Sequence, residues 1–240
     1  MDIFSDKLIK FCQKQEYVDD ILSGKLFMNE LGTFNNVTDS FRNDIYDGYR
    51  VQEGDAIARI KWRGESIRFP ITKLPMSFVG ANKIPVFSAV QLSKNILDEI
   101  TPGQYKFKKI VLDHMEQFGQ YAVIINKTEL MNKVEEYANR NNVRIHCGNI
   151  RYMDSKNPLP KVDSWEEQIH EFIFVKTTSD GRDYQHQNEW RMAVTYPQVI
   201  PEDKNYFQMI VGELEYSIQI PSFEWLRDGV LNVEHIDVDS

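Results

Sequence analysis

Cysteine is scarce in this chain: Cys12 and Cys147 are the only two among 240 residues. They lie far apart in sequence, so a disulfide framework of the kind that staples small secreted folds is excluded. Long hydrophobic runs are missing as well. No stretch approaches the roughly 18 consecutive apolar residues expected of a membrane helix, and the N-terminal residues contain no apolar core of a secretory signal. These absences predict a cytoplasmic protein that does not enter the membrane. Positive charge is in deficit, with 28 Lys and Arg against 36 Asp and Glu and a formal net charge of −8. That balance argues against a general coat for nucleic acid or anionic lipid, although it leaves local basic patches open. Neither G-x-x-x-x-G-K-[ST] nor G-x-G-x-x-G occurs, which removes glycine-cradled phosphoryl transfer and the usual dinucleotide turn. The hydrolase elbow G-x-S-x-G is absent too. No tract is low in complexity or repeated at a fixed period.

What is present is core-forming material: 42% hydrophobic and 12% aromatic residues in a length suited to one large domain. Helix and strand signals alternate without a regular βαβ rhythm, so the expected class is α+β, with mixed, mostly antiparallel sheets and flanking helices. "EYVDDILSGK" reads as a short helix stopped by Gly24, and "KLFMN" as the strand after it. "GDAIARIKWRGESIRFPI" alternates on both sides of "RGES" and predicts a hairpin with a basic outward face. "PVFSAVQL" predicts a buried strand, and "KFKKIVLDHMEQFG" a helix ending near Gly119. "YAVIIN", "KTELMNKVEEYANRNN" and "VRIHCGNIRYM" read as strand, helix and strand, the helix with Leu130, Val134 and Tyr137 on one stripe. "HEFIFVK", "EWRMAVTY", "FQMIVG" and "YSIQI" read as four more strands. The loop at 154 to 164 is short and ends on Trp165, which suits a turn inside one domain spanning 1–240 better than a linker.

Chemistry-bearing residues are few. His114, His170, His186 and His235 stand alone, and His146 and Cys147 are neighbours whose side chains a strand sends to opposite faces. No metal site and no Cys–His pair is expected. Carboxylate chemistry remains. In "HQNEWRMAV", period-2 geometry puts Gln187, Glu189 and Arg191 on one face and Asn188, Trp190 and Met192 on the other. One face then holds a carboxylate between an amide and a guanidinium. The plainer alternative is a solvated face whose charges pair across strands for about 0.2–1 kcal/mol each.

The spacing of Lys176, Tyr184, Gln187, Glu189, Trp190 and Arg191 resembles a signature shared by a group of bacterial and phage-borne domains of unknown function. So do "SGKLFMNELGTF", with Gly24, Leu26, Met28, Asn29 and Phe34, and "FRNDIYDG", with Arg42, Asp44, Asp47 and Gly48. "FGQYAVIIN" followed by a helix and "GNIRYMD" completes the likeness over most of the chain. In that group the late Glu sits where the ADP-ribosyltransferase-like superfamily places its catalytic glutamate. The resemblance implies that superfamily's fold, with NAD as substrate in a cleft and Glu189 stabilising the oxocarbenium-like ribose as nicotinamide leaves. It also implies that Gln187 orients ribose or acceptor, that Tyr184 stacks on nicotinamide, and that Arg42 clamps pyrophosphate. Arg191 would keep Glu189 ionised, and Asn29 would join the nucleotide site. The partner is thus a nucleotide ligand, with the acceptor unspecified.

Two other classes stay open. One is a binding module that keeps the same polar face without turnover and grips a nucleotide or a partner protein. The other is a metal-dependent nuclease built on Asp113, Glu116, Glu171 and Lys176.

Overall fold

The computed structural model describes residues 4–36, 47–63, 65–158, 161–178, 187–196 and 204–232. In chain order the first elements are β1 (Lys7–Cys12), α1 (Gln15–Leu22), β2 (Lys25–Glu30), β3 (Arg50–Trp62), β4 (Glu65–Met76) and β5 (Pro85–Gln91). Next come β6 (Leu97–Thr101), β7 (Gln104–Phe107), α2 (Lys109–Met115), β8 (Tyr121–Asn126), α3 (Lys127–Asn141) and β9 (Arg144–Asn149). The last are β10 (Arg151–Asp154), α4 (Trp165–Phe172), β11 (Val175–Thr178), β12 (Glu189–Tyr196), β13 (Tyr206–Ile210), β14 (Ile218–Ile220), α5 (Phe223–Asp228) and β15 (Leu231–Asn232). The class is α+β with mostly antiparallel pairing. Among the described residues no helix is long and apolar enough to cross a membrane.

The chain divides into two compact units. The first comprises Met1–Asn29, Pro85–Asn149 and Gln185–Ser240, and the second Glu30–Ile84 and Ile150–Tyr184. The loop at 154 to 164 lies within the second unit, and the chain changes unit at Asn149/Ile150 instead.

The first unit is built on one large sheet. Val90 of β5 pairs with Ile9 of β1 and with Glu189 of β12, so β5 is flanked on both edges. Beyond β1 lie β8 and then β14, beyond β12 lies β9, and β2 joins β5 while carrying β13. Both faces are buried. Leu8, Phe87, Val123, Trp190 and Met192 pack on one face with Val18 and Ile21 of α1 and Leu130 and Val134 of α3. Ile9, Val90 and Ala122 pack on the other with Tyr105 and Phe107 of β7, Val111 and Leu112 of α2, and Phe223 and Leu226 of α5. Two-sided burial explains why "YAVIIN" and "PVFSAV" are nearly continuous apolar runs rather than alternating ones. Following the antiparallel pairings, β8 and β9 point the same way, so strand, α3 and strand form a crossover that passes three intervening strands. Asn126 caps α3 by accepting from the Glu129 amide at 3.0 Å. α1 ends as its glycine predicts: Gly24 has φ +77°, and a Cβ there would lie 1.8 Å from the Gly212 carbonyl oxygen. Its buried stripe is Val18 and Ile21, while Tyr17 is exposed. The helix expected from Lys106 starts later, because Lys106 and Phe107 belong to β7 and pair with β6.

The second unit holds the β3–β4 hairpin, the parallel pair β10–β11, and α4. The expected strand "HEFIFVK" is helical as far as Phe172, and only Val175–Thr178 is strand. The reason is local. Ser164 accepts from the Glu167 amide at 3.1 Å and Glu167 returns to the Ser164 amide at 3.0 Å, a capping box that nucleates the turn. The expected single strand "VRIHCGNIRYM" is likewise two, β9 and β10, broken at Ile150 where the chain changes unit. Phe78 meets Trp165 and Phe172 edge-on at 5.1 and 5.9 Å. Arg50, only 1% exposed, donates to Glu171 at 2.7 Å, and Arg151 donates to the same carboxylate at 2.5 Å. Burial pulls the Arg50 pKa down and the like charge of Arg151 adds to that, while Glu171 opposes it.

Candidate functional site

Glu189 opens β12, and two residues on, across one pleat, Arg191 returns to it. Arg191 Nε and Nη2 donate to Glu189 Oε1 at 2.9 and 2.8 Å. Ser88 Oγ on β5 donates to the same oxygen at 2.7 Å. Each partner is placed by strand register. Ser88 stands directly opposite Arg191 on β5, and Gly148 stands opposite it on β9. Lys10 Nζ donates to the Ser88 carbonyl at 2.6 Å and steadies that part of β5. The group is deeply enclosed: Glu189 is 7% exposed and Arg191 1%. Trp190 and Met192 face the opposite side and belong to the core with α1 and α3. The carboxylate therefore ends a cross-strand row that is otherwise apolar, running through Ile124, Ile9 and Val90 to Glu189. A charge in such a place is tolerable only when paired and hydrogen-bonded, which Arg191 and Ser88 provide.

The entry to β12 is shaped by Asn188, whose φ of +41° is left-handed. Its carbonyl accepts from the Gln91 amide at 2.9 Å, and its side-chain amide donates to the Gln91 carbonyl and to Ser93 Oγ at 3.0 Å. These bonds hold a conformation that a non-glycine residue rarely adopts. They also correct the alternation expected for this stretch. The strand begins at Glu189, and the left-handed residue before it breaks the period, so Gln187 lies off the strand, half-buried, rather than one step down the Glu189 face.

The other expected site residues fall as follows. Asn29 is exposed on β2 opposite Tyr206. Its neighbour Met28 enters the core beside Trp190, which puts Asn29 on the same face of the sheet as Glu189 and Arg191, with β5 between their strands. Arg42 and Tyr184 lie outside the described residues, as do Asp44 and His186. Ser88 and Gly148 were not anticipated. The visible signal for Ser88 is a lone hydroxyl within the apolar run "PVFSAVQ"; for Gly148 there is none without the register.

Among the described residues no group of three or more His, Cys, Asp or Glu is placed to hold an ion. Asp113 pairs with Lys109 at 3.8 Å on the exposed side of α2, and Glu171 sits on a helix, committed to two arginines. Burial pushes Cys147 up to about 12 and raises Cys12, so neither is a thiolate near neutrality. Behind Trp190, Lys127 Nζ lies 6.0 Å from the indole centroid and donates to Gln91 Oε1 at 2.8 Å. Comparison of the chain with protein-family models, with curated proteins and with solved structures returns no match.

Proposed function

We propose that the chain is an ADP-ribosyltransferase-like enzyme that uses NAD as substrate, with Glu189 as its catalytic carboxylate. The observation that supports this reading is the fixed carboxylate itself: a strand-borne Glu held by two guanidinium N–H groups and one hydroxyl. Preorganisation of that kind is what electrostatic stabilisation of a developing cation needs, since nothing has to reorient as charge appears. In the proposed reaction the bond between ribose C1′ and the nicotinamide nitrogen breaks, and its electron pair leaves with nicotinamide. The oxocarbenium-like ribose lies against Glu189 until an acceptor oxygen or nitrogen, or water, attacks C1′ and gives up its proton. Arg191 and Ser88 are positioning residues. The resemblance of the late motif to that superfamily, and the α+β class, point the same way.

The same geometry also favours a second reading, a nucleotide- or partner-binding module without turnover. Glu189 is almost wholly covered and its charge is matched by Arg191, as in an ion pair that serves only the fold. One experiment separates the two. Wild type and Glu189→Gln are titrated with NAD by thermal shift, and free nicotinamide is then measured. The enzyme reading expects both proteins to be stabilised, since a ligand bound only by the folded state raises its stability. It also expects release by the variant to fall about 100-fold or more, by comparison with the loss of one oxyanion-hole donor. Equal release by the two proteins removes Glu189 from the chemistry. Stabilisation without release by the wild type leaves the binding module.

A further inference from the structure

We propose that the β3–β4 hairpin is an arm that binds double-stranded DNA through its basic face. The inference is independent of the NAD reading. Beyond a register shift between Glu53 and Ala56, the two strands pair with each other from Ala56↔Ile71 to Trp62↔Glu65 and form a two-stranded sheet of their own. Within that stretch stand four cations, Arg59, Lys61, Arg63 and Arg68, against one carboxylate, Glu65, in a chain whose net charge is −8. Register sorts those that are described: Lys61 is opposite Ser66, two residues before Arg68 on β4, so Lys61 and Arg68 share one face near the tip, and Arg63 sits in the two-residue connection with φ +48°. Lys61, Arg63 and Arg68 are exposed.

Like charges on one face of a strand pair repel, and an isolated two-stranded ribbon is marginal in water. Both costs fall when an anion lies over the face. The β4 edge does not invite a further strand, because Pro70 and Pro75 have no N–H to offer. Seven residue pairs span roughly 24 Å, about seven base-pair steps, and a major groove about 12 Å wide admits a two-stranded ribbon. An anionic lipid surface fits less well. Ile67 occupies the face opposite Lys61 and Arg68, and Glu65 shares that face, so apolar insertion would turn the basic residues away from the headgroups and bring a carboxylate toward them.

The test is fluorescence anisotropy with a labelled duplex of about 20 base pairs at salt from about 50 to 200 mM, where phosphate contacts are strongest and most salt-dependent. The arm variant is Lys61→Thr/Arg63→Asn/Arg68→Thr, which removes the charges while keeping strand formers on the strands and a residue tolerant of left-handed φ in the turn. The control variant removes three exposed lysines elsewhere, Lys94→Ala/Lys109→Ala/Lys161→Ala. Wild type should bind with the micromolar strength typical of phosphate contacts. The arm variant should bind about tenfold or more weakly, with the slope of log K against log salt shallower by about 2.7. The control should stay within about twofold of wild type. Equal losses in both variants, or no wild-type binding at the lowest salt, overturn the proposal. So does binding to phosphatidylserine vesicles without binding to the duplex. Should the triple variant lose its thermal transition, Arg68→Thr alone carries the test, with an expected slope change of about 0.9.

Discussion

Replacing Arg191 with methionine isolates the electrostatics of the candidate site. The side chain keeps similar length and apolar bulk, but both bonds to Glu189, at 2.9 and 2.8 Å, disappear. What remains is a carboxylate 7% exposed, beside Val90, that keeps the Ser88 hydroxyl. Breaking a buried pair from one side costs about 3–5 kcal/mol, because the desolvation of the surviving charge is no longer offset. For a chain of 240 residues, where 1 kcal/mol moves the midpoint by about 2–4 °C, that is a fall in Tm of roughly 6–20 °C. The double variant Glu189→Leu/Arg191→Met removes both charges and should lie within about 1 kcal/mol of wild type or above it, since matched apolar replacements of buried pairs are often neutral or stabilising. Scanning calorimetry of wild type, both single variants and the double variant measures the coupling directly. A single-variant cost below about 1 kcal/mol, the range of exposed pairs, would refute the reasoning. So would a double variant no better than Arg191→Met. The same set bears on function: if Arg191 only positions Glu189, Arg191→Lys, which keeps charge but not the two-pronged geometry, should retain part of any nicotinamide release that Arg191→Met abolishes.

Two further outcomes follow from groups outside that pair. Glu171→Ala should destabilise the second unit by about 3 kcal/mol or more, because it leaves Arg50, 1% exposed, buried against the like charge of Arg151. Arg151→Ala, at a side chain 54% exposed, should cost about 1 kcal/mol or less by urea denaturation. Cys147 supplies a pH dependence. Its thiol is raised in the folded state from an ordinary 9.0 to about 12, so the folded protein holds that proton more tightly than the unfolded one. The contribution is therefore full below about pH 9 and is lost as pH rises toward 12. Thermal midpoints of wild type and Cys147→Ala should converge across that window, and iodoacetamide should leave Cys147 unmodified at pH near 8 while the fold persists.

The division between local and tertiary information runs through particular residues. α1 with its Gly24 stop, α3 with Leu130 and Val134 on one stripe, the "RGES" hairpin and the buried "PVFSAV" strand were all legible in order, because each depends on periodicity and turn chemistry within a dozen residues. The opposition of Trp190 to Glu189 was legible for the same reason, as strand geometry alone sends neighbours to opposite faces. Pattern failed where a local device outcompeted it. The Ser164–Glu167 capping box made a helix of "WEEQIHEF", and left-handed Asn188 took Gln187 off the strand. Only the tertiary structure decided that Glu189 is buried rather than on a solvated face. That outcome depends on Ser88, about a hundred residues earlier, on β9 covering the other edge of β12, and on a sheet packed on both sides. Register between strands distant in sequence leaves no trace in the residues of either strand taken alone, and here it is register that turns a surface-like Q-x-E-W-R pattern into an enclosed, hydrogen-bonded carboxylate.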